Sequence, residues 1–282
     1  MALVSILDEL KRARVGHYGI PCFDLFDMTA AEGTFRAIDE QRAPTIIAIY
    51  SGMIDAPGAE LFAASIRTMA GDTSVPVSLI LDHGASFEQC IKALRYGFSD
   101  VMYDGSSLPV EDNIATTAMV VRAAHAVGAS VEAELGHVGQ GSDYEGFGAQ
   151  RLGFTDPSLV ERFVAETGVD FLAIAIGTAH GVYKGTPSLD LDLLANIRRR
   201  VDIPLVMHGG SGLSEEQFRS AIAAGISKVN VATELMMTAG ARMVEAAKAE
   251  GASYFGILDA ARKSYRERTT YYMNLFGCAG KA

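Results

Sequence analysis

The chain has 282 residues, 49% hydrophobic and 21% charged, enough for one large core or two modest domains. Its formal net charge of −10 argues against a broad nucleic-acid or anionic-membrane surface, although a local pocket can oppose the global charge. Cys22, Cys90 and Cys278 form no CxxC pair or disulfide framework, and no apolar run approaches the length of a bilayer, so the expected location is the cytoplasm.

The opening MALVSILDELKRARVG reads as a mixed-charge amphipathic helix, not a signal peptide. Short apolar runs and helical patterns then alternate to the end. Strands are expected at 20–24 (IPCFD), 46–49, 77–81 (VSLIL), 100–103, 130–134 (SVEAE), 171–175, 204–208 (PLVMH) and 228–231 (KVNV). Helices are expected near 28–41, 59–70, 86–96, 110–127, 156–167, 189–200, 214–224 and 234–249, with a last one over about 253–272. Continuous apolar strands are the mark of a parallel sheet covered on both faces. Eight strand-helix units with no linker give a single (β/α)8 TIM barrel over 1–282, with additional terminal helices. A doubly wound sheet is the alternative, but it often carries a glycine-rich first turn, which CFDLFD lacks.

In a barrel, chemistry is carried by the C-terminal ends of the strands and the loops that follow. Strand three ends in LDHG, with Asp82 and His83; strand four runs into Asp104; strand five ends at Glu134. Strand six leads to GTAHG with His180, and strand seven to MHGGSG with His208. Three of only six histidines thus meet at one mouth, a set that suits Zn²⁺ with an open coordination position. His137 stays ambiguous and His125 lies in a helix pattern. Successive strand residues face opposite ways, so both Asp82 and His83 reach the mouth only if the alternation breaks there. A carboxylate at Asp82 can move a proton. Asp104 and Glu134 are open between metal ligands, partners of the ligands and acid-base groups.

HGGSG leads into a helix with a capping-box pattern, SEEQ from Ser214. Its backbone amides at Gly209, Gly210 and Ser211 can hold a phosphate. NVAT, Asn230 to Thr233, adds side-chain donors at the neighbouring strand. The glycine-rich segment GHVGQGSDYEGFGAQ is a candidate lid carrying Asp143, Tyr144 and Glu145, and HGVYKG puts Lys184 near the mouth.

Together LDHG, MYDGS, VEAELG, AIGTAHGVYKGTP, LVMHGGSG and SKVNVATEL closely resemble the class II, zinc-dependent fructose-bisphosphate aldolase family, most of all its branch of tagatose- and ketose-bisphosphate aldolases. The resemblance spans essentially the whole chain. It implies reversible cleavage of a ketose 1-phosphate or ketose 1,6-bisphosphate to dihydroxyacetone phosphate and an aldehyde, through an enediolate stabilised by Zn²⁺. It implies that His83, His180 and His208 bind the zinc and that Asp82 serves the aldehyde oxygen. Asp104 and Glu134 match a second or displaced metal position. Gly181, Gly209, Gly210, Ser211 and the run Asn230, Val231, Ala232, Thr233 would hold the dihydroxyacetone phosphate half, with Lys184 nearby. A Na⁺ or K⁺ ion near the phosphate and a homodimer or homotetramer are implied as well. Two rival readings are another metal-dependent enzyme acting on a phosphorylated sugar, and a non-catalytic sugar-phosphate-binding or regulatory subunit.

Three departures stand out. Ser142 occupies a position where the family carries an acid, and Glu145 is the expected replacement base. PAFN becomes PCFD, so Asp24 replaces asparagine, and Tyr50 with Ser51 stands where a small hydroxyl residue is usual. Asp24, Tyr50 and Ser51 are therefore expected at the aldehyde end of the substrate. A carboxylate there repels a second phosphate unless an arginine opposes it, with Arg262, Arg266 and Arg268 of the last helix as candidates from a neighbouring subunit.

Overall fold

The structure is a computed structural model and describes residues 3–143 and 151–282. Its strands are β1 (Ile20–Asp24), β2 (Thr45–Tyr50), β3 (Val77–Gly84), β4 (Asp100–Tyr103), β5 (Ser130–Leu135), β6 (Phe171–Ile174), β7 (Leu205–Met207) and β8 (Ile226–Val231). All pair in parallel and close into a barrel in sequence order, β8 joining β1 through Ile20–Lys228 to Phe23–Val231. The expected (β/α)8 barrel is the fold. Nearly every strand residue is buried, because the inner face packs on the barrel core and the outer face on helices.

The helices are α1 (Leu7–Gly16), α2 (Met28–Gln41), α3 (Ser51–Ile54), α4 (Ala59–Asp72), α5 (Phe87–Arg95), α6 (Val110–Ala126), α7 (Pro157–Thr167), α8 (Leu191–Arg200), α9 (Glu215–Ala224), α10 (Thr233–Lys248) and α11 (Tyr254–Leu275). Their starts are chemically marked. Asp27, Ser86, Asp156, Asp190 and Ser253 each accept a first-turn N–H, and Ser214 with Gln217 forms the expected capping box. Such caps contribute about 1 kcal/mol each. The last helix runs three residues past its expected end. Tyr272 and Phe276 close an aromatic cluster with Phe218, at ring separations of 5.9 and 5.1 Å from it, and that packing outlasts the helical periodicity. The chain end folds back on α2, where the N–H groups of Gly280 and Ala282 donate to the carbonyls of Gln41 and Arg42.

The differences from expectation sit at the mouth. β3 continues to Gly84 through a register shift instead of stopping at Leu81. β7 stops at Met207, one residue before His208, because Gly209 turns the chain at φ +70°. A Cβ at 209 would run into the carbonyl of Ala179, so only glycine fits. A two-residue strand, Gly139–Gln140, pairs with Ala179–His180 outside the barrel, and α3 follows β2 directly.

Candidate active site

His83 and Asp82 both reach the mouth, because the strand alternation breaks between them. His83 has φ +50° and lies in the register shift between Leu81 and Gly84. The left-handed residue in a bulge swings its ring into the barrel mouth, beside Asp82. Such a conformation costs of order 1–3 kcal/mol and persists only where the surroundings hold it. The Asp104 carboxylate does so, accepting from His83 Nδ1 at 2.7 Å.

His180 and His208 complete the convergence. His83 Nε2 lies 3.2 Å from His180 Nε2 and 2.9 Å from His208 Nδ1. A tetrahedral ion with Zn–N bonds near 2.05 Å spaces its ligand nitrogens about 3.3 Å apart, so the set is nearly that of a closed coordination face. The three rings stand edge-on to one another, at interplanar angles of 80 to 89°, which aims nitrogens at a common point instead of stacking faces. His83, Asp104 and Glu134 form a second group with metal-ligand spacing that shares His83. The donor chemistry therefore fits a divalent ion.

A buried chain of charged and amide groups lies beneath the cluster. His208 Nε2 donates to Glu132 Oε1 at 2.6 Å, and Glu132 Oε2 pairs with Lys228 Nζ at 2.7 Å. Lys228 Nζ donates to Asn230 Oδ1 at 2.6 Å, and Asn230 Nδ2 donates to Asp82 Oδ1 at 2.8 Å. His208, Glu132 and Lys228 are each 0% exposed, so the ionic pair has no solvent to compensate it. Neither Glu132 nor Lys228 was expected from the sequence. The available signal was the period of two: Glu132 shares a face with Glu134, and Lys228 with Asn230, inside otherwise apolar strands.

Electrostatics follow from this packing. Burial works to lower the His83 pKa, but Asp82, Asp104 and Glu134 outweigh it and raise it to about 10. The position thus favours a positive charge, whether proton or metal ion. Burial and then the His83 charge lower His180 to about 4 and push His208 well below its ordinary value. Burial, followed by repulsion from Asp104, raises Glu134 to about 8. Burial alone would raise Asp104, yet the His83 and Ser106 hydrogen bonds hold it below the usual carboxylate range. Burial lowers and the nearby Glu132, Cys22 and Asp82 raise Lys228, with a net upward shift that keeps it charged.

These groups open on a cavity of about 500 Å³. Of the expected site residues, Asp82, His83, His180, His208 and Asp104 line it, as do Asp24 from β1, Tyr50 from β2 and Ser51 at the start of α3. Gly181, Gly209, Gly210, Ser211, Asn230, Ala232 and Thr233 line the anion side. Glu134 sits just behind, 1% exposed, donated to by the Val138 N–H at 2.9 Å. Two expected substrate contacts do not line the cavity: Val231 is buried in β8, and Lys184 is exposed. Glu145 lies outside the described residues. His137, ambiguous in sequence, lines the cavity and bonds Ser106 Oγ at 2.9 Å, whereas His125 pairs with Asp170 on the outside. Helix α10 starts at Thr233 with no side-chain cap from Ala232; Ala232 and Thr233 line the cavity, and Ser211 Oγ accepts the first-turn N–H of Glu234 at 3.1 Å. This is a ready anion cradle.

A closed barrel with three imidazoles, flanking carboxylates and a helix N-terminus at its C-terminal mouth defines an enzyme with a candidate divalent-metal site. Residues 4–281 match the family described as fructose-bisphosphate aldolase class-II. The chain belongs to that family. It is 36% identical over 287 residues to a probable fructose-bisphosphate aldolase of Bacillus subtilis, with 100% of both chains covered. It is 39% identical over 239 residues to a 6-phospho-5-dehydro-2-deoxy-D-gluconate aldolase of Halalkalibacterium halodurans, covering 84% of this chain and 82% of that one. A crystal structure of the YdjI aldolase from Escherichia coli K12 superposes with a TM-score of 0.89 at 34% identity, covering 99% of each chain. No helix among the described residues is long and apolar enough to cross a membrane.

Proposed function

We propose that this chain reversibly cleaves a ketose 1-phosphate or ketose 1,6-bisphosphate to dihydroxyacetone phosphate and an aldehyde, as the tagatose- and ketose-bisphosphate branch would. The observation that carries this reading is that the imidazole cluster, Asp82 and an uncapped helix N-terminus open on one cavity. His83, His180 and His208 would hold the ion, proposed to be Zn²⁺. Bound there, it supplies Lewis-acid stabilisation of the charge that develops when the C3–C4 bond breaks.

The chain's own residues do the rest. Asp82 accepts the proton of the C4 hydroxyl as the C3–C4 electron pair moves onto C3 and the C4 oxygen becomes the aldehyde carbonyl. The bond from Asn230 to Asp82 Oδ1 fixes that carboxylate and leaves Oδ2 for the substrate. A loop base returns a proton to C3, and Glu145 is proposed for it. Amides of the Gly209–Ser211 turn and of the α10 start would hold the phosphate, with a Na⁺ or K⁺ ion beside it and Gly181 lining the same side. A cytoplasmic homodimer or homotetramer is proposed for the assembly.

Release of dihydroxyacetone phosphate from a panel of ketose 1-phosphates and 1,6-bisphosphates, with and without chelator, tests the reading. Metal-dependent release supports it. Release that persists after verified metal removal, or none with any member, refutes it. Ser142, standing where an acid is expected, favours the second reading of a regulatory subunit, which predicts sugar-phosphate binding without turnover.

A further inference from the structure

The segments that carry His180 and His208 follow neighbouring strands, β6 and β7, and their backbones meet at the mouth. Ala179 precedes His180, and Gly209 follows His208. The two lie so close that a Cβ at 209 would overlap Ala179 backbone atoms. Their spacing therefore constrains the spacing of two candidate metal ligands. One side chain bridges the same pair. The Tyr183 hydroxyl accepts from the Ala179 N–H at 2.7 Å and donates to the Gly209 carbonyl at 2.7 Å. A phenol has one hydrogen to give, and this one gives it across the gap between the two segments. The Tyr183 ring lies along the same turn: a Cβ on Gly212, at φ +100°, would come within 3.2 Å of it.

Both bridged residues are buried, Ala179 at 0% exposed. Without the phenol oxygen, a buried N–H and a buried carbonyl lose a partner, and the strain is relieved by the two segments shifting apart. The far side of the His180 segment is already fixed. Ala179–His180 pairs with Gly139–Gln140, and the Lys184 N–H donates to the Gly141 carbonyl. The hydroxyl fixes the near side. Tyr183 does not line the cavity, so it acts through these backbones and not by touching ion or substrate. The Gly209–Ser211 turn, assigned above to the phosphate, hangs on the same bond. Resting on that metal and phosphate reading, we infer that Tyr183 is a positioning residue whose hydroxyl holds the His180 segment against the Gly209 turn, so that divalent-ion affinity and phosphate affinity both depend on it.

The test is Tyr183→Phe, which keeps the ring and removes only the oxygen. Zn²⁺ is withdrawn from the loaded full-length protein by graded addition of a chromophoric chelator, a measurement that needs no turnover. The variant is expected to hold Zn²⁺ about 10- to 100-fold more weakly than wild type, the scale of losing a group that orients a ligand. Affinity of the Zn²⁺-saturated protein for glycerol 3-phosphate, by calorimetry, is expected to fall about fivefold, the scale of one hydrogen bond. Thermal unfolding in excess chelator separates positioning from stability. A lowered unfolding midpoint with wild-type affinity for both probes overturns the inference, because the phenol then only supports the fold. A fall in one affinity alone overturns the shared dependence. Should the variant fold poorly, hydrogen exchange in the Zn²⁺-loaded wild type decides: a protected Ala179 N–H supports the bridge, and exchange at the unprotected rate overturns it. A wild type that retains no stoichiometric Zn²⁺, or does not bind glycerol 3-phosphate, refutes the metal and phosphate reading itself, and this inference falls with it.

Discussion

Lys228→Met keeps most of the side-chain stem of a fully buried residue and removes its ammonium group. Glu132 then keeps only the His208 N–H at 2.6 Å, and Asn230 loses the donor that orients it toward Asp82. Removing one partner of a buried pair leaves an uncompensated charge, which costs about 3–5 kcal/mol. Glu132→Gln strands the ammonium instead and should cost a similar amount. The double variant has no buried ion to strand, so its loss should fall short of the summed single losses by about 2 kcal/mol or more. Equilibrium urea denaturation of the metal-saturated protein, analysed by linear extrapolation, measures all three. The same network orients His208, so Lys228→Met should also weaken metal binding by about 10- to 100-fold. A single-variant loss below about 1 kcal/mol, or strict additivity in the cycle, refutes the account of a coupled buried network.

Asp82→Asn should lower kcat by about 10²- to 10⁴-fold while leaving metal content unchanged; full kcat removes it as the proton carrier. Chelation should abolish turnover, and His208→Ala should lose the bound divalent ion by elemental analysis; stoichiometric metal in that variant would dismantle the three-imidazole site. At the opposite end of the barrel, Asp100 accepts from Ser5, Ser78 and Ser99 hydroxyls and from the Ile6 N–H. Burial, against those hydrogen bonds, raises it from 3.8 to about 6. A raised carboxylate contributes stability that is full below pH 4 and lost as pH rises through 6, here about 3 kcal/mol at 1.36 per unit. Asp100→Asn should flatten unfolding stability between those values, and an unaltered slope would disprove the assignment.

The barrel and much of the mouth were legible in the sequence because strand-end chemistry interrupts apolar runs. Asp82, His83, His180 and His208 each end or follow such a run, and the structure brings them to one cavity. The Glu132–Lys228 pair was not legible. It joins β5 to β8 across the barrel interior, and no local pattern reports which inward-facing residue meets which. The left-handed His83 was equally hidden, since a bulge depends on what holds it, here Asp104 some twenty residues on. Lys184, expected near the mouth from its nearness in sequence to His180, is exposed and does not line the cavity.

The small pairing of Gly139–Gln140 with Ala179–His180 ties two jobs together. Gly141, next in line, fits because it lacks a Cβ, which would run into the Val182 carbonyl, and its own carbonyl takes the Lys184 N–H at 2.9 Å. The start of the segment after β5 is thus stitched to the backbone that carries His180, one imidazole of the candidate metal site. A change in loop length or glycine content at 139–141 is consequently also a change in ligand geometry. Substitutions in that loop that leave the stitch in place keep the His180 backbone where it is, whereas the rim at Asp24 and Tyr50 can vary without touching it.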